Sequence, residues 1–254
     1  MSFRPPELPD IVLDPPRGPV LVVAPHPDDE MMGPGGTLIL HARAGDPISI
    51  VVVCDGSLGD PDGQFPREGY TDRRERETRE VAQRFLATDD VHFFRFADGI
   101  TEEDVDKVYP NLPPDPDDKR RALVHGLSTH LRGHVQRVRR RVGYYPWAGE
   151  FHAAHWGCGM AMENLMTNEP ALFEETDVLG YEVWSTLVPD TLVDVTSTFE
   201  TKLEAIRCYE TQTHYVDYSR VVGGLNLYRG MLIPGPELNH AEAFKGKYRG
   251  GRRG

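Results

Sequence analysis

The chain has 254 residues, of which 39% are hydrophobic and 27% are charged, and its formal net charge is −12. This composition is typical of a folded globular protein and excludes a disordered chain. The negative charge argues against binding to nucleic acids or anionic membranes, because their phosphates would repel it. No stretch reaches the roughly 20 apolar residues of a membrane span, residues 1–19 lack the core of a signal peptide, and the three cysteines match no zinc or disulfide pattern. We therefore expect a cytoplasmic protein.

The first third of the chain predicts a βαβ unit. Residues 1–18 are rich in proline and predict an extended arm that lies over the domain. A continuous apolar run over 20–24 is typical of a buried parallel strand. The glycines at 33–36 predict a tight turn before a helix over 37–44, and a second buried strand follows over 48–54. Such strand–helix–strand units are right-handed and parallel in nearly all cases.

The rest of the chain continues the alternation of helices and strands. A helix over 72–86 precedes a third strand over 91–96, and an acidic, proline-rich surface loop is predicted over 101–118. A helix over 120–141 ends in a basic block, which is more simply a solvated helix end than an anion site. The later elements are a helix over 156–166, a strand over 178–185, a helix over 198–209 and a flexible tail over 247–254. We predict a single α/β domain, a Rossmann-like, mostly parallel sheet flanked by helices, with N- and C-terminal extensions.

Chemically active residues directly follow the first strand, in the run Pro25-His26-Pro27-Asp28-Asp29-Glu30. Open α/β sheets bind ligands at the carboxyl ends of their strands. An imidazole beside carboxylates suits Zn²⁺, Fe²⁺ or Mn²⁺ better than Ca²⁺ or Mg²⁺. We predict that His26 and Asp29 bind a metal and that Asp28 acts as the base. The alternative is an acidic cluster that caps a helix, which is the simpler interpretation for Glu30.

Further site residues come from distant parts of the chain. A catalytic zinc needs about three protein ligands. His152 and His155 stand at i and i+3 of a helix start, so they share one face, although either alone could be a hydrogen-bonded structural histidine. The second and third strands end in Asp55-Gly56 and Asp98-Gly99, and we expect both carboxylates to line the same site. The glycine-rich turn alone is weak support for a nucleotide site.

Together these segments resemble a known family. The run from Pro25 to Glu30, followed by Gly33-x-Gly35-Gly36-Thr37, is similar to the signature of the PIG-L/LmbE-like zinc-dependent N-deacetylases, which act on N-acetylglucosamine-containing substrates and related amides. The resemblance covers about residues 18–246. Supporting matches are Asp55-Gly56, Arg74 with Glu77, Asp98-Gly99, Lys202-x-x-Ala205-Ile206, Thr211-Gln212 and Ala241-Glu242-Ala243-Phe244.

The resemblance implies a role for each residue of the site. His26, Asp29 and His155 would hold zinc, Asp28 would be the general base, and protonated His152 would stabilise the oxyanion. The family's second segment is His-x-x-His and usually contains Pro-Asp. This chain has Ala-Ala there, which leaves the substrate open.

The expected activity is metal-dependent removal of an acetyl or similar acyl group from an N-acylated amino sugar or related conjugate. Arg74, Asp55 and Asp98 are the candidate substrate-binding residues, with Arg76 as the alternative arginine. Zn²⁺ is the expected metal and Fe²⁺ the alternative, and a homo-oligomer is left open. The rival from another class is a non-catalytic sugar- or nucleotide-binding module of the same fold.

Overall fold

The computed structural model describes residues 7–98, 116–137, 141–235, 238–250 and 252–253. The strands are β1 Asp10–Asp14, β2 Val20–Ala24, β3 Ile48–Cys54, β4 Val91–Phe96, β5 Val142–Pro146, β6 Asp177–Tyr181, β7 Thr191–Asp194, β8 Ala241–Lys245 and β9 Arg252–Arg253. The helices are α1 Asp29–Met32, α2 Gly35–Arg43, α3 Tyr70–Leu86, α4 Pro116–Arg137, α5 Ala153–Asn168, α6 Phe199–Arg207, α7 Glu210–Thr213 and α8 Tyr218–Gly230, and a 3₁₀ turn covers Pro170–Phe173.

All nine of these strands belong to one sheet, in the order β4-β3-β2-β5-β6-β8-β7-β1-β9. The five strands from β4 to β6 run parallel. β8 is antiparallel to both of its neighbours, and β1 is parallel to β7. The predicted α/β fold with a mostly parallel sheet is confirmed. The carboxyl ends of β2, β3 and β4 lie side by side, which brings the residues after each strand to one edge.

Helices cover both faces of the parallel part of the sheet, which explains the continuous apolar runs. Val20, Val22 and Ala24 of β2 enter a core that also contains residues of α2, α3 and α6. Leu21 and Val23 enter a second core against α4 and α5. A strand that is buried on both faces needs apolar side chains at every position. None of the helices in the described ranges combines the length and apolar character that crossing a membrane requires.

The two predicted extensions differ from the structure. Residues 10–14 of the expected arm form β1, which lies inside the sheet between β7 and β9. In the predicted flexible tail over 247–254, Tyr248 is buried and its hydroxyl lies 2.6 Å from that of Tyr144, which ties this part of the tail to the core. Arg252–Arg253 pairs antiparallel with β1. The five residues of β1 lie between Pro9 and Pro15, and so short a segment gives too little alternation of apolar and polar residues to predict a strand.

Two other predictions lie partly outside the described residues. Of the predicted loop over 101–118, only 116–118 are described, and they begin α4 rather than continuing a loop. Positions 138–140 of the basic block are also outside the described ranges. Its last residue, Arg141, donates from Nη1 to the carbonyl oxygen of Glu175 at 3.2 Å.

A buried ion pair joins the C-terminal part of the chain to the glycine-rich turn. Lys202 is fully buried in α6, and its Nζ donates to Glu242 Oε1 at 2.6 Å. The same ammonium donates to Asn226 Oδ1 and to the carbonyl oxygen of Gly33, both at 3.0 Å. All three ammonium hydrogens therefore have partners, as a buried cation requires.

The carboxylate of Glu242 fixes the start of α2. Its two oxygens accept from the backbone N–H groups of Gly36 and Thr37 at 2.6 and 2.8 Å, and from the Thr37 hydroxyl at 2.6 Å. A Cβ atom at Gly36 would lie 2.8 Å from Val195 Cβ, so this position requires glycine. An anion at the first N–H groups of a helix also interacts favourably with the helix dipole.

We expect Lys202→Met to lower the free energy of unfolding by about 3–5 kcal/mol, because it leaves the buried Glu242 carboxylate without its counter-ion. Denaturant unfolding monitored by circular dichroism measures the change. Lys245→Met is the matched control, since its pair with Asp190 is 3.0 Å long but half exposed, and it should cost no more than about 1 kcal/mol. Equal losses in the two variants would contradict this account.

Candidate active site

The turn after β2 contains three consecutive acidic residues, and the first of them, Asp28, has an unusual backbone conformation. Asp28 has φ 127° and ψ −28°, a left-handed conformation that L-residues rarely adopt. The short helix α1 secures it, because the N–H groups of Met31 and Met32 donate to the Asp28 carbonyl oxygen at 2.9 and 3.0 Å. Such backbone strain costs on the order of 1–3 kcal/mol and is concentrated at functional sites.

The three predicted metal ligands meet at this turn. Asp29 Oδ2 lies 3.1 Å from both His26 Nδ1 and His155 Nε2, and the two nitrogens are 3.3 Å apart. Ligands about 2.0–2.1 Å from a tetrahedral zinc ion lie roughly 3.3 Å from one another. The donor set is two imidazoles and one carboxylate, and the triangle of donor atoms has a size that suits one zinc-sized divalent ion. The residues therefore fit the metal that the sequence implies.

Asp98 sets which nitrogen of His26 faces this triangle. Its Oδ1 accepts from His26 Nε2–H at 2.9 Å. Nδ1 is therefore the ring nitrogen that could bind a metal ion next to Asp29. Oδ2 of Asp98 accepts from the Leu58 N–H at 3.2 Å. A carboxylate behind a ligating histidine fixes the tautomer and raises the basicity of the ring.

Burial and close charges shift the pKa values of this cluster. Burial favours neutral groups, but hydrogen bonds and charges from Asp29 and Asp98 outweigh it and raise the pKa of His26 to about 10. For Asp29, burial is outweighed by His155 and His26, which hold its pKa well below the usual range. The pKa of Asp98 falls to about 2, because His26 overcomes the effect of burial. Asp29 is thus a carboxylate that attracts a positive charge, either a proton on an imidazole or a metal ion.

Arg74 of α3 binds the predicted base. Its Nη2 donates to Asp28 Oδ2 at 3.1 Å and to the Pro27 carbonyl oxygen at 2.7 Å, while Nη1 donates to the Gly56 carbonyl oxygen at 2.9 Å. Burial raises the pKa of Asp28 well above its usual value, and the charge of Arg74 opposes that rise. Arg76 is exposed on the other side of α3, so Arg74 is the one of the two candidate arginines that reaches this cluster, and its role in substrate binding stays a prediction.

Glu30 lies behind the turn and outside the cavity, as predicted for a structural acid. It is fully buried, accepts the Asp28 N–H on Oε2 at 3.1 Å, and accepts the Tyr209 hydroxyl on Oε1. Burial raises its pKa to about 7 despite these hydrogen bonds. Glu30 therefore supports the strained backbone of Asp28.

His152 stands at the N-terminus of α5, one turn before His155. Its ring centroid lies 5.1 Å from that of His26 and 4.9 Å from that of His155. Donor atoms of the three histidines all fall within 4.8 Å of one another, so they form a second set that could hold a metal. Burial and the two neighbouring histidines lower the pKa of His152. This differs from the predicted protonated form, although a neutral imidazole still has one N–H to donate.

These residues open onto one cavity of about 340 Å³ at the carboxyl edge of the sheet. The predicted residues that line it are His26, Asp28, Asp29, Arg74, Asp98 and His152. Asp55 does not line it, contrary to expectation, because its Oδ1 accepts the N–H groups of Ser57 and Asp98, both at 3.0 Å. The other lining residues are Met32, Leu58, Gly59, Pro61, Trp184, Gln212, Tyr215, Val216 and Tyr218.

Comparison with known proteins identifies the family. The family model described as GlcNAc-PI de-N-acetylase (PIG-L) matches residues 21–166, which is more than half of the chain. The chain belongs to the PIG-L family. The match includes the turn after β2, Arg74, Asp98 and the His152–His155 segment.

Two curated relatives align with this PIG-L chain over most of its length. A probable N-acetyl-alpha-D-glucosaminyl L-malate deacetylase 2 of Bacillus cereus is 28% identical over 205 residues, which are 76% of this chain and 83% of that protein. A 4-oxalmesaconate hydratase of Pseudomonas putida is 25% identical over 223 residues, 80% of this chain and 77% of that one. The family match and the Bacillus relative confirm the predicted class of enzyme, a hydrolase of the deacetylase type.

A solved structure has the same fold at lower identity. The N,N'-diacetylchitobiose deacetylase of Pyrococcus horikoshii superimposes with a TM-score of 0.69 and 21% identity, and covers 91% of this chain and 84% of that one. This agreement supports the α/β fold described above.

Sequence reasoning missed the aromatic part of the PIG-L cavity. Trp184 lies 6.2 Å from Tyr218 and 6.5 Å from His152, measured between ring centroids. Both aromatic residues follow the last predicted site residue by 29 positions or more and belong to no motif that carries chemistry. Gln212 is different, because it belongs to a segment that matched the family and could have been considered.

We expect Asp98→Asn to weaken metal binding by about 10–100-fold, the usual effect of removing the partner of a ligating histidine. Competition with a chromophoric chelator measures the dissociation constant of zinc. Asp190→Asn is the control, since Asp190 does not line the cavity, and it should leave that constant unchanged. Unchanged zinc affinity in Asp98→Asn would mean that Asp98 does not support His26.

Proposed function

We propose that this PIG-L protein hydrolyses the acetyl or a similar acyl group from the nitrogen of an N-acylated amino sugar or related conjugate, with the help of a bound metal ion. The observation that carries the proposal is the triangle formed by Asp29 Oδ2, His26 Nδ1 and His155 Nε2, beside the buried carboxylate of Asp28 in one cavity. The Bacillus relative, named for a glucosaminyl malate substrate, supports the amino-sugar part of the proposal.

In this proposal His26, Asp29 and His155 hold the metal, with Zn²⁺ preferred and Fe²⁺ as the alternative. When bound, such an ion supplies a water of pKa near ~7 and a Lewis acid for the acyl carbonyl. One carboxylate and two neutral imidazoles leave a net positive charge on a divalent complex. The site is therefore suited to stabilise negative charge that develops on the substrate.

Asp28 moves the protons of the reaction. It accepts the proton of the attacking water, and after a tetrahedral oxyanion has formed it returns a proton to the departing amine. Arg74 binds Oδ2 of Asp28, and Glu30 binds the Asp28 N–H, so both the carboxylate and its backbone are fixed before substrate arrives. This fixed geometry reduces the reorganisation that the reaction requires.

His152 supplies a hydrogen-bond donor to the acyl oxygen. It lines the cavity beside His26 and is half-buried, so it reaches both the metal ligands and the substrate space. As the carbonyl oxygen becomes an oxyanion, an N–H donor at this position binds the transition state more strongly than the substrate.

We expect Asp28→Asn to lower kcat by about 10²–10⁴-fold, the usual contribution of general acid–base catalysis, because asparagine cannot accept the proton of water. Acetate release from N-acetylated amino sugars measures kcat, and elemental analysis should find the metal at the wild-type level. Full turnover by this variant would exclude Asp28 as the base.

We expect His155→Ala to lose most of its bound zinc, whereas His152→Ala should keep zinc and lose turnover. The reason is that His155 Nε2 contacts both other donor atoms, while His152 faces the cavity. Elemental analysis of the two purified variants decides between the ligand sets. Zinc loss in His152→Ala, with retention in His155→Ala, would favour the three-histidine set instead.

Treatment with a chelator distinguishes a metal-dependent enzyme from the alternative, a non-catalytic binding module. Removal of the metal from the wild-type protein should abolish acetate release, and added Zn²⁺ or Fe²⁺ should restore it. A protein that binds amino sugars but releases no acetate in either state would be a binding module.

A further inference from the structure

We propose that the substrate carries an uncharged apolar group, aryl or alkyl, attached to the amino sugar, and that this group rests on an apolar rim at the mouth of the cavity. We define the apolar rim as Leu58, Phe151, Trp184 and Val216. This inference rests on the proposed function and extends it from the reaction to the class of substrate.

The rim side chains are exposed although they are large and apolar. The exposed fractions are 65% for Leu58, 74% for Phe151, 48% for Trp184 and 40% for Val216. Three of them line the cavity, and Phe151 directly precedes His152, with its N–H bonded to Ser185 beside Trp184. Exposed apolar groups that are continuous with a cavity are typical of ligand-binding surfaces.

Trp184 has the geometry of a stacking platform. Its ring is inclined by only 20° to that of His152, and Tyr218 meets it edge-on at 86°. Tyr218 therefore limits the movement of the indole, and His152 connects the platform to the reacting end of the cavity. An aromatic or apolar group beyond the acetamido group would be within reach of the exposed part of this ring.

Outside the proposed metal position, the described lining of the cavity offers no free cationic side chain to an anionic group. Asp28, Asp29 and Asp98 line it, and Arg74 is the one arginine or lysine among the described lining residues. Arg74 is 3% exposed and already donates to Asp28 and to two backbone carbonyl oxygens. A carboxylate or phosphate on the substrate would thus lose water without gaining a free cation in this lining.

An exposed arginine near the apolar rim is the alternative binding site for an anionic group. Arg67 is exposed and lines a neighbouring cavity, which shares Leu58 and Pro61 with the main one. That cavity also contains Asp60, whose carboxylate would repel an anion that approached Arg67. Arg67→Ala therefore distinguishes an anionic subsite from the apolar rim.

The experiment uses isothermal titration calorimetry on the zinc-loaded, 254-residue Asp28→Asn protein, whose turnover should be slow enough to leave the ligands intact during a titration. The probes are the methyl, 4-nitrophenyl and 4-carboxyphenyl glycosides of N-acetyl-β-D-glucosamine. We expect the 4-nitrophenyl glycoside to bind about tenfold more tightly than the methyl glycoside, which corresponds to one aromatic contact. The 4-carboxyphenyl glycoside, which has the same ring with a negative charge, should bind more weakly than the 4-nitrophenyl glycoside.

Two variants connect this preference to the rim. Adding Trp184→Ala should remove most of the advantage of the 4-nitrophenyl glycoside over the methyl glycoside. Tyr228→Ala is the matched control, since Tyr228 is 64% exposed but does not line the cavity, and it should leave the advantage intact. Far-ultraviolet circular dichroism verifies that both variants are folded.

Several outcomes would overturn the inference. Binding of the 4-carboxyphenyl glycoside as tight as that of the 4-nitrophenyl glycoside, lost in Arg67→Ala, would indicate an anionic subsite. Sedimentation that shows a dimer, dissociated by Trp184→Ala, would mean that a second copy covers the rim. Acetate release by the unaltered protein tests the proposed function separately. Release from all three glycosides without an aryl preference overturns only the inference, and no release from any N-acetylated amino sugar overturns the proposed function.

Discussion

The structure depends on the burial of three consecutive carboxyl groups at the end of one strand. Asp28, Asp29 and Glu30 are 5%, 2% and 0% exposed, and an isolated ionised carboxylate is very unfavourable in such surroundings. Each has a different partner: a guanidinium, two imidazoles and a phenol, respectively. The different partners separate the pKa values of neighbouring groups, which is what the proposed metal ligand, the proposed base and a supporting acid require.

The partners of these groups come from helices on both faces of the sheet. Arg74 comes from α3, His155 from α5, and Tyr209 from the junction between α6 and α7. A second buried pair, Lys202 with Glu242, fixes the glycine-rich turn immediately after α1. The order of strands and helices therefore does more than build a core. It also brings hydrogen-bond donors from distant parts of the chain to the buried carboxyl groups of the turn after β2. The same contacts therefore stabilise the site and the fold.

Local sequence was sufficient for some of these features and insufficient for others. The run from His26 to Glu30 predicted the turn and its chemistry, because acids that directly follow a buried strand lie at the ligand-binding edge of an α/β sheet. The contact of Asp98 with His26 spans 72 positions, and no local pattern shows which nitrogen of a ring a distant carboxylate binds. Asp55 and Asp98 end neighbouring strands in similar sequences, yet one organises a loop and the other supports a predicted ligand. That difference depends on side-chain direction, which periodicity does not report.

The base and the rim of the cavity differ in burial and in charge. Groups at its base are buried, charged and bound to one another, so replacing any of them leaves another buried polar group without a partner. Groups at its rim, such as Leu58 and Trp184, are exposed and apolar, and replacing them disturbs no buried charge. The base therefore tolerates few substitutions, whereas the rim can change without disturbing a buried charge. This difference explains why a short motif predicts the reaction of the protein but not the molecule on which it acts.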